Sequence, residues 1–163
     1  MLSEKLIDDL RQGCFFGLNS GVITTSGLIS GLIQTNINYK ILVISVISLA
    51  ISDSFSESYG IYLSKKAEDI EDDSAGPLLS FFSLLITKFL IVISFLIPLL
   101  FTKNLSCYKN LYWVIMWSVL ILFILDYNLS IMRDESFFIY FIPHLAVLFT
   151  VIYSAKMFSR WMK

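Results

Sequence analysis

Residues 51–60 read ISDSFSESYG and place two carboxylates, Asp53 and Glu57, inside an otherwise apolar stretch of the chain. A charge near the centre of a bilayer costs about 2.5–3.5 kcal/mol on insertion scales, so such residues usually face a bundle interior or a water-filled path. A spacing of four residues stacks the two carboxylates on one face of a helix. The stretch therefore predicts a membrane helix that carries an acidic site.

The composition places the rest of the chain in a membrane as well. Of the 163 residues, 56% are hydrophobic and 15% are charged, and the mean hydropathy is +0.76. Five apolar spans approach the roughly 20 residues that cross a bilayer as a helix, and they are too long and too uniformly apolar for barrel strands. The prediction is an all-α integral membrane protein, a single transmembrane domain (1–163) with five transmembrane helices at residues 13–34, 41–63, 78–101, 105–125 and 137–157 and a short amphipathic surface helix at 3–12.

Glycines recur along the first span at spacings that let two helix backbones approach closely. They share an arc of roughly 120° on the helix. One interpretation is packing against another helix of the same subunit, and the other is the seam of a homodimer, which the polar side chains beside the glycines favour. We predict a homodimer packed through helix 1, with its seam at Gly13, Gly17, Gly21, Gly27 and Gly31.

The chain resembles the vacuolar iron transporter family in residues 17–27, GLNSGVITTSG, and residues 59–68, YGIYLSKKAE. Members of this family have five membrane helices and move ferrous or manganous ions out of the cytoplasm, so the resemblance implies the same fold and activity. The family commonly has aspartate where this chain has Ser20, and a metal-contacting methionine where it has Glu57. Only residues 67–75 stand where larger members have a helical metal-binding domain, which implies a divergent, minimal member.

The candidate metal site consists of oxygen ligands, which suit magnesium, calcium and manganese and tolerate ferrous iron. Two neighbouring buried carboxylates disfavour full ionisation, so one is expected to bind a proton that an arriving dication displaces. The predicted function is proton-coupled export of a divalent metal ion, with the metal as substrate and no cofactor. The alternative is a non-transporting membrane scaffold derived from the same fold. The predicted ligands are Asp53, Glu57, Asn19 and Ser20.

Lys88 lies in the middle of the third span, where its ammonium needs a carboxylate partner. Asp53 and Glu57 are the favoured partners, and Asp126 is less favoured. A Lys88 bridge would either hold the empty carrier closed until a cation or proton displaces it, or form a fixed ion pair that stabilises the bundle and binds nothing. The same span carries three hydroxyl side chains that predict interhelical hydrogen bonds: Ser80, Thr87 and Ser94.

An acidic segment follows the second span. Such a cluster raises the local concentration of cations, which is useful at the mouth of a transport path. Acidic runs are otherwise ordinary solvated surface. If the segment captures metal, we expect its ligands to be Glu68, Glu71 and Asp72.

Other classes of function find little support in the sequence. An intramembrane aspartyl protease needs two aspartates on opposed helices, whereas Asp53 and Glu57 share one helix, so we predict no enzyme activity. The net charge of −1 gives no reason to expect nucleic acid as a partner. The expected partners are a second copy of the chain, the lipid bilayer, divalent cations and protons. The expected location is the plasma membrane of a prokaryote, or an internal or vacuolar membrane of a eukaryote.

Overall fold

The fold is a bundle of helices. The computed structural model describes residues 2–35, 37–68, 75–101 and 107–162. Five of the described helical stretches are long and apolar enough to cross a membrane, because α3 and α4 together make one such stretch. This is the pattern of a multi-pass membrane protein, and it confirms the prediction of an all-α fold with five spanning helices. The helices are α1 (Leu2–Gln34), α2 (Tyr39–Glu68), α3 (Gly76–Ser94), α4 (Leu96–Phe101), α5 (Cys107–Arg133) and α6 (Phe137–Trp161).

Local sequence explains where several helices begin and end. At the start of α2, the side-chain oxygen of Asn38 accepts a hydrogen bond of 2.9 Å from the backbone N–H of Lys40, which is the usual role of an N-cap asparagine. Pro98 clashes with the carbonyl four residues earlier, and α3 ends at that residue, Ser94. Asp134 has a φ of 52°, a left-handed conformation that ends α5.

The segment 3–12, predicted as a separate surface helix, is instead the beginning of α1. Asp9 explains why this segment stays in the bundle. Its carboxylate pairs with the ammonium of Lys65 at the end of α2, and both side chains are largely buried. Its backbone carbonyl accepts a 3.0 Å hydrogen bond from the hydroxyl of Ser80 on α3. The first turns of α1 are therefore held against two other helices.

α1 is the central helix of the bundle. It packs most extensively against α3, and also against α6, α5 and α2. The fully buried apolar side chains between the helices include Val22, Ile29, Val92 and Leu122. Large apolar side chains elsewhere point outward; Ile131, for example, is 64% exposed. Such an outer surface suits contact with lipid rather than with water.

Hydroxyl groups connect α3 to its neighbours, as their spacing on the third span predicts. Besides the bond from Ser80, the hydroxyl of Thr87 lies 3.5 Å from the sulfur of Cys14 on α1. The indole N–H of Trp117 on α5 donates to Ser94 at 3.1 Å. These bonds join α3 to α1 and α5 in a part of the fold where water is scarce.

Candidate functional site

Lys88 of α3 lies at the centre of a charged cluster between α1, α2 and α3. Its side chain is fully buried. The ammonium nitrogen lies 2.7 Å from Asp53 Oδ2 and 2.6 Å from Glu57 Oε2 on α2. The same nitrogen donates a hydrogen bond of 2.8 Å to Ser20 Oγ on α1. The ammonium is therefore surrounded by three oxygen atoms that come from two helices.

Ser20 connects Glu57 to Lys88 within the cluster. Its hydroxyl donates to Glu57 Oε2 at 2.6 Å while it accepts from Lys88. Asp53 Oδ2 is buried and receives no aligned hydrogen bond from the described residues, so charge is what holds it to the ammonium. The carboxylate side chains are 25% and 27% exposed. The cluster is thus sealed on the α3 side and partly open along α2.

The cluster already holds one cation, the ammonium of Lys88, which is attached to the chain. Two carboxylates and a hydroxyl are hard oxygen ligands of the kind that Mg²⁺, Mn²⁺ and Fe²⁺ accept. With Lys88 and both carboxylates charged, the cluster carries one excess negative charge among helices that are long and apolar enough to cross a membrane. An exchange of the ammonium for an external cation would use the same oxygen atoms.

Close packing of α1 on α3 sets the position of Lys88. A Cβ atom built on Gly17 would lie 3.0 Å from the backbone oxygen of Leu84 and 3.2 Å from the backbone nitrogen of Lys88. A Cβ on Gly21 would lie 3.1 Å from a methyl group of Ile91. The two backbones can approach this closely only because these α1 positions lack side chains. The glycines thereby bring Ser20 within reach of the ammonium.

The same contacts correct the predicted dimer seam. Gly13, Gly17 and Gly21 face α3, and Gly27 and Gly31 face Val151 and Ala155 of α6. Helices of the same subunit cover both glycine runs, so this face of α1 is not open to a second copy. The spacing correctly indicated close helix packing, but the alternative within one subunit is the one that the structure shows.

The structure divides the four predicted metal ligands into two groups. Asn19 lies beside Ser20 in the sequence, and adjacent helix positions point about 100° apart. Its side chain lines a cleft between α1, α5 and α6 together with His144, whereas Ser20 contacts Glu57 and Lys88. Of the predicted capture segment, Glu68 is the last residue of α2, and Glu71 and Asp72 lie outside the described residues.

A second ionisable pair lies between α5 and α6. His144 Nδ1 is 2.6 Å from Asp126 Oδ1, and the Asp126 side chain is fully buried. The fourth span, predicted to end at residue 125, continues through this aspartate to Arg133, and the contact with His144 compensates the buried carboxylate. The sequence does contain a signal for this pair. Asp126 and His144 lie at nearly equal distances from the α5–α6 turn, so an antiparallel pair of helices places them at the same level.

Neither metal-ligand geometry nor comparison with known proteins identifies this site. Within residues 4–35, 37–67, 75–101 and 111–162, no group of three or more His, Cys, Asp or Glu side chains is arranged to hold a metal ion. A scan against models of known protein families gives no match to this chain, and a search of curated proteins gives none either. The function is therefore argued from the cluster around Lys88.

Proposed function

We propose that the protein is a divalent-cation transporter related to the vacuolar iron transporters, in which Asp53, Glu57 and Ser20 form the central cation site. The observation that carries this proposal is the position of the Lys88 ammonium, surrounded by the three oxygens at 2.6–2.8 Å. Lys88 acts as a tethered cation that neutralises part of the acidic charge while the site is empty. A dication that reaches the carboxylates displaces it.

Charge balance couples this exchange to a proton. Two carboxylates and a dication are neutral together, so a lysine that stays charged would leave one uncompensated positive charge in the membrane interior. Such a charge is costly there. The empty cluster carries one negative charge, and release of a proton from the displaced ammonium makes the occupied site neutral. Cation binding on one side and proton release thus accompany each other, as in proton-coupled export of ferrous or manganous ions.

A homodimer is part of the proposal, and we place its interface on α2 rather than α1. The outer face of α2 carries small, exposed residues at a spacing of four, which is the spacing of closely packed membrane helices. A second copy packed there would cover the partly exposed carboxylates of Asp53 and Glu57. These small residues are Ser48, Ser52, Ser56, Gly60 and Ser64.

Cysteine cross-linking tests this interface. In a background with Cys14→Ser and Cys107→Ser, we expect Ser52→Cys and Ser56→Cys to form disulfide-linked dimers in native membranes. Val147→Cys is the matched control, because it is also exposed, at 46%, but lies on α6. Dimers at the α6 position, or none at either α2 position, would contradict the proposed interface.

A second candidate function is a non-transporting membrane scaffold. The observation that favours it is the full burial of Lys88 between two carboxylates, since such a pair also serves as a fixed connection between α2 and α3. In this case the cluster would never release its lysine. Transport and scaffold differ in one measurable property, the movement of cations across a membrane.

Cation flux in proteoliposomes separates the two candidates. We expect the wild-type protein to admit Mn²⁺ or Fe²⁺ faster than protein-free vesicles do, with accompanying proton movement. Asp53→Asn and Glu57→Gln should each lower the flux by about tenfold or more, because an interaction with a charged group is worth about 1.5–3 kcal/mol. Mg²⁺ and Ca²⁺, measured in the same way, define the range of ions.

The control for these substitutions is Asp134→Asn, an exposed acid at the α5–α6 turn where asparagine tolerates the left-handed backbone. It should leave the flux unchanged. Wild-type protein that reconstitutes as a folded, helical protein but moves none of the four cations would overturn the transporter and favour the scaffold.

A further inference from the structure

We propose that Asp126 and His144 form a proton-binding site within the bundle, which exchanges protons with water through a cleft on the side of the α1 N-terminus. The site is separate from the cluster around Lys88. It consists of one residue from α5 and one from α6, and it faces a different side of α1. The inference therefore does not depend on the transport function proposed above.

The geometry of the pair provides a place for one proton. The distance of 2.6 Å between His144 Nδ1 and Asp126 Oδ1 requires a proton between the two atoms. When the pair binds one proton in addition to this shared one, it is neutral overall. It is then either a carboxylate with an imidazolium or a carboxylic acid with an imidazole. Without that proton it carries one negative charge on a fully buried residue. Gain and loss of the proton thus switch the pair between a neutral and a charged state.

A cleft of about 800 Å³ connects the histidine to the outside of the bundle. Six of its eleven lining residues are polar or charged and the other five are apolar; the polar and charged ones are Asp8, Arg11, Gln12, Asn19, Arg133 and His144. This lining is unusual for a lipid-filled groove, and the volume holds many water molecules at about 30 Å³ each. From Arg133, at the end of α5, the helix descends about 10 Å to Asp126. Water therefore has a polar route to the imidazole from one side.

Two unpaired acceptors mark where water would bind. Asn19 Oδ1 and Asp126 Oδ2 are buried, and neither has a hydrogen-bond partner among the described residues. A buried acceptor without a partner is costly, and bound water is the usual solution where a site is polar and roomy. Asn19 itself lines the cleft. Water bound to it would extend the hydrogen-bonded route toward His144.

The charges that face the pair come from the same cleft. α1 contributes Asp8 and Arg11, which lie 3.8 Å apart as an exposed ion pair, and α5 contributes Arg133. On α6 the next basic residue along the chain is Lys156, about 18 Å from His144 along the helix. The Lys88 cluster of α2 and α3 contacts Ser20 instead. These three charges line the cleft, whereas the contact that the pair itself makes is the hydrogen bond between His144 and Asp126.

The chain has one histidine, which makes the test direct. Full-length protein labelled with ¹⁵N-histidine, in phosphatidylcholine nanodiscs without metal, gives the imidazole signals of a single residue. We expect these signals to change reversibly between about pH 5 and about pH 8, the interval in which histidine can change its charge. Asp126→Asn should shift the midpoint, and Asp134→Asn should not. Signals that stay invariant over this range would overturn the proposal.

The aqueous route is tested separately, and this test does not need the aspartate variant to fold. In the cysteine-free background, Leu129→Cys lies in the lining of the cleft, whereas Tyr127→Cys is 53% exposed on the outer face of the same helix. A membrane-impermeant thiol reagent added on the side of the N-terminus should modify the first and spare the second. Equal labelling of the two positions, or no labelling at residue 129, would contradict access through the cleft.

The histidine titration and the cation flux, measured on the same protein, distinguish the two proposals. If the histidine signals change with pH but the protein moves no cation, the proton site is supported and the transporter is contradicted. If the protein moves cations but its histidine signals do not change with pH, the transporter is supported and the proton site is contradicted.

Discussion

Lys88→Met will destabilise the protein by about 3–5 kcal/mol, because removal of one partner leaves buried charge without compensation. The fully buried ammonium lies between Asp53 and Glu57, at 2.7 and 2.6 Å. Methionine has a similar length and an apolar end, so the volume of the core changes little. The loss should therefore come from two carboxylates that face each other without a cation. Unfolding of the purified protein in detergent, by heat or by denaturant, measures it.

The carboxylate variants provide the comparison that shows direct pairing. Glu57→Gln or Asp53→Asn leaves the ammonium with one carboxylate and should cost less than Lys88→Met. Addition of Glu57→Gln to Lys88→Met should recover part of the loss, and neutralisation of all three residues should recover most of it. Lys40→Met, at an exposed position at the start of α2, is the matched lysine control and should change little.

The double variant also tests whether the cluster acts as a unit. Residues in one charged network show interaction free energies of about 0.5–3 kcal/mol. Strict additivity of the Lys88 and Glu57 substitutions would mean that the two side chains do not interact in the membrane. In that case the tethered-cation mechanism would have no basis.

The sequence was sufficient for the architecture because lipid leaves few choices. Backbone groups without water must bond within their own segment, so each long apolar span becomes a helix. The position of Lys88 in such a span also required an acid nearby, and the two acids of α2 were its favoured partners. These inferences depend on the apolar character and the charge of each segment, which can be read from that segment alone. They did not require knowledge of which helices are neighbours.

Inferences that depended on neighbouring helices were less successful. Glycine spacing shows that another helix packs closely, but it does not identify that helix. In the structure, α3 and α6 of the same subunit cover both glycine runs. Asn19 and Ser20 are adjacent in sequence, yet they lie in a cleft and in a cluster on different sides of α1. The contact of His144 with Asp126 becomes apparent only when α5 and α6 are placed side by side. Each outcome is decided by interhelical packing, which periodicity along one helix does not contain.

Gly13→Ala is expected to destabilise the protein by about 1–3 kcal/mol, and Gly13→Leu by more, because added volume in a tight contact forces the backbones apart. The new Cβ would overlap the hydroxyl of Ser83, which can rotate, and would also lie 2.6 Å from the backbone oxygen of Ser80, which cannot. Gly17→Ala should cost less, since its closest contact is at 3.0 Å. Unfolding in detergent gives the order of the variants.

Gly60→Ala is the matched control, because no atom lies within 4 Å of a Cβ built there and the residue faces outward on α2. Alanine is favoured over glycine inside a helix by about 1 kcal/mol, so the monomer of this variant should be as stable as the wild-type monomer or more stable. Substitutions at Gly13 and Gly60 also test two different helix contacts, the one between α1 and α3 within the monomer and the one between the α2 helices of the proposed dimer. Substitution of Gly13 should weaken the monomer through α3, and a leucine at Gly60 should weaken the dimer through α2. If Gly13→Leu instead dissociated the dimer while the unfolding free energy of the monomer stayed unchanged, the contact between α1 and α3 would not be the one that this glycine serves.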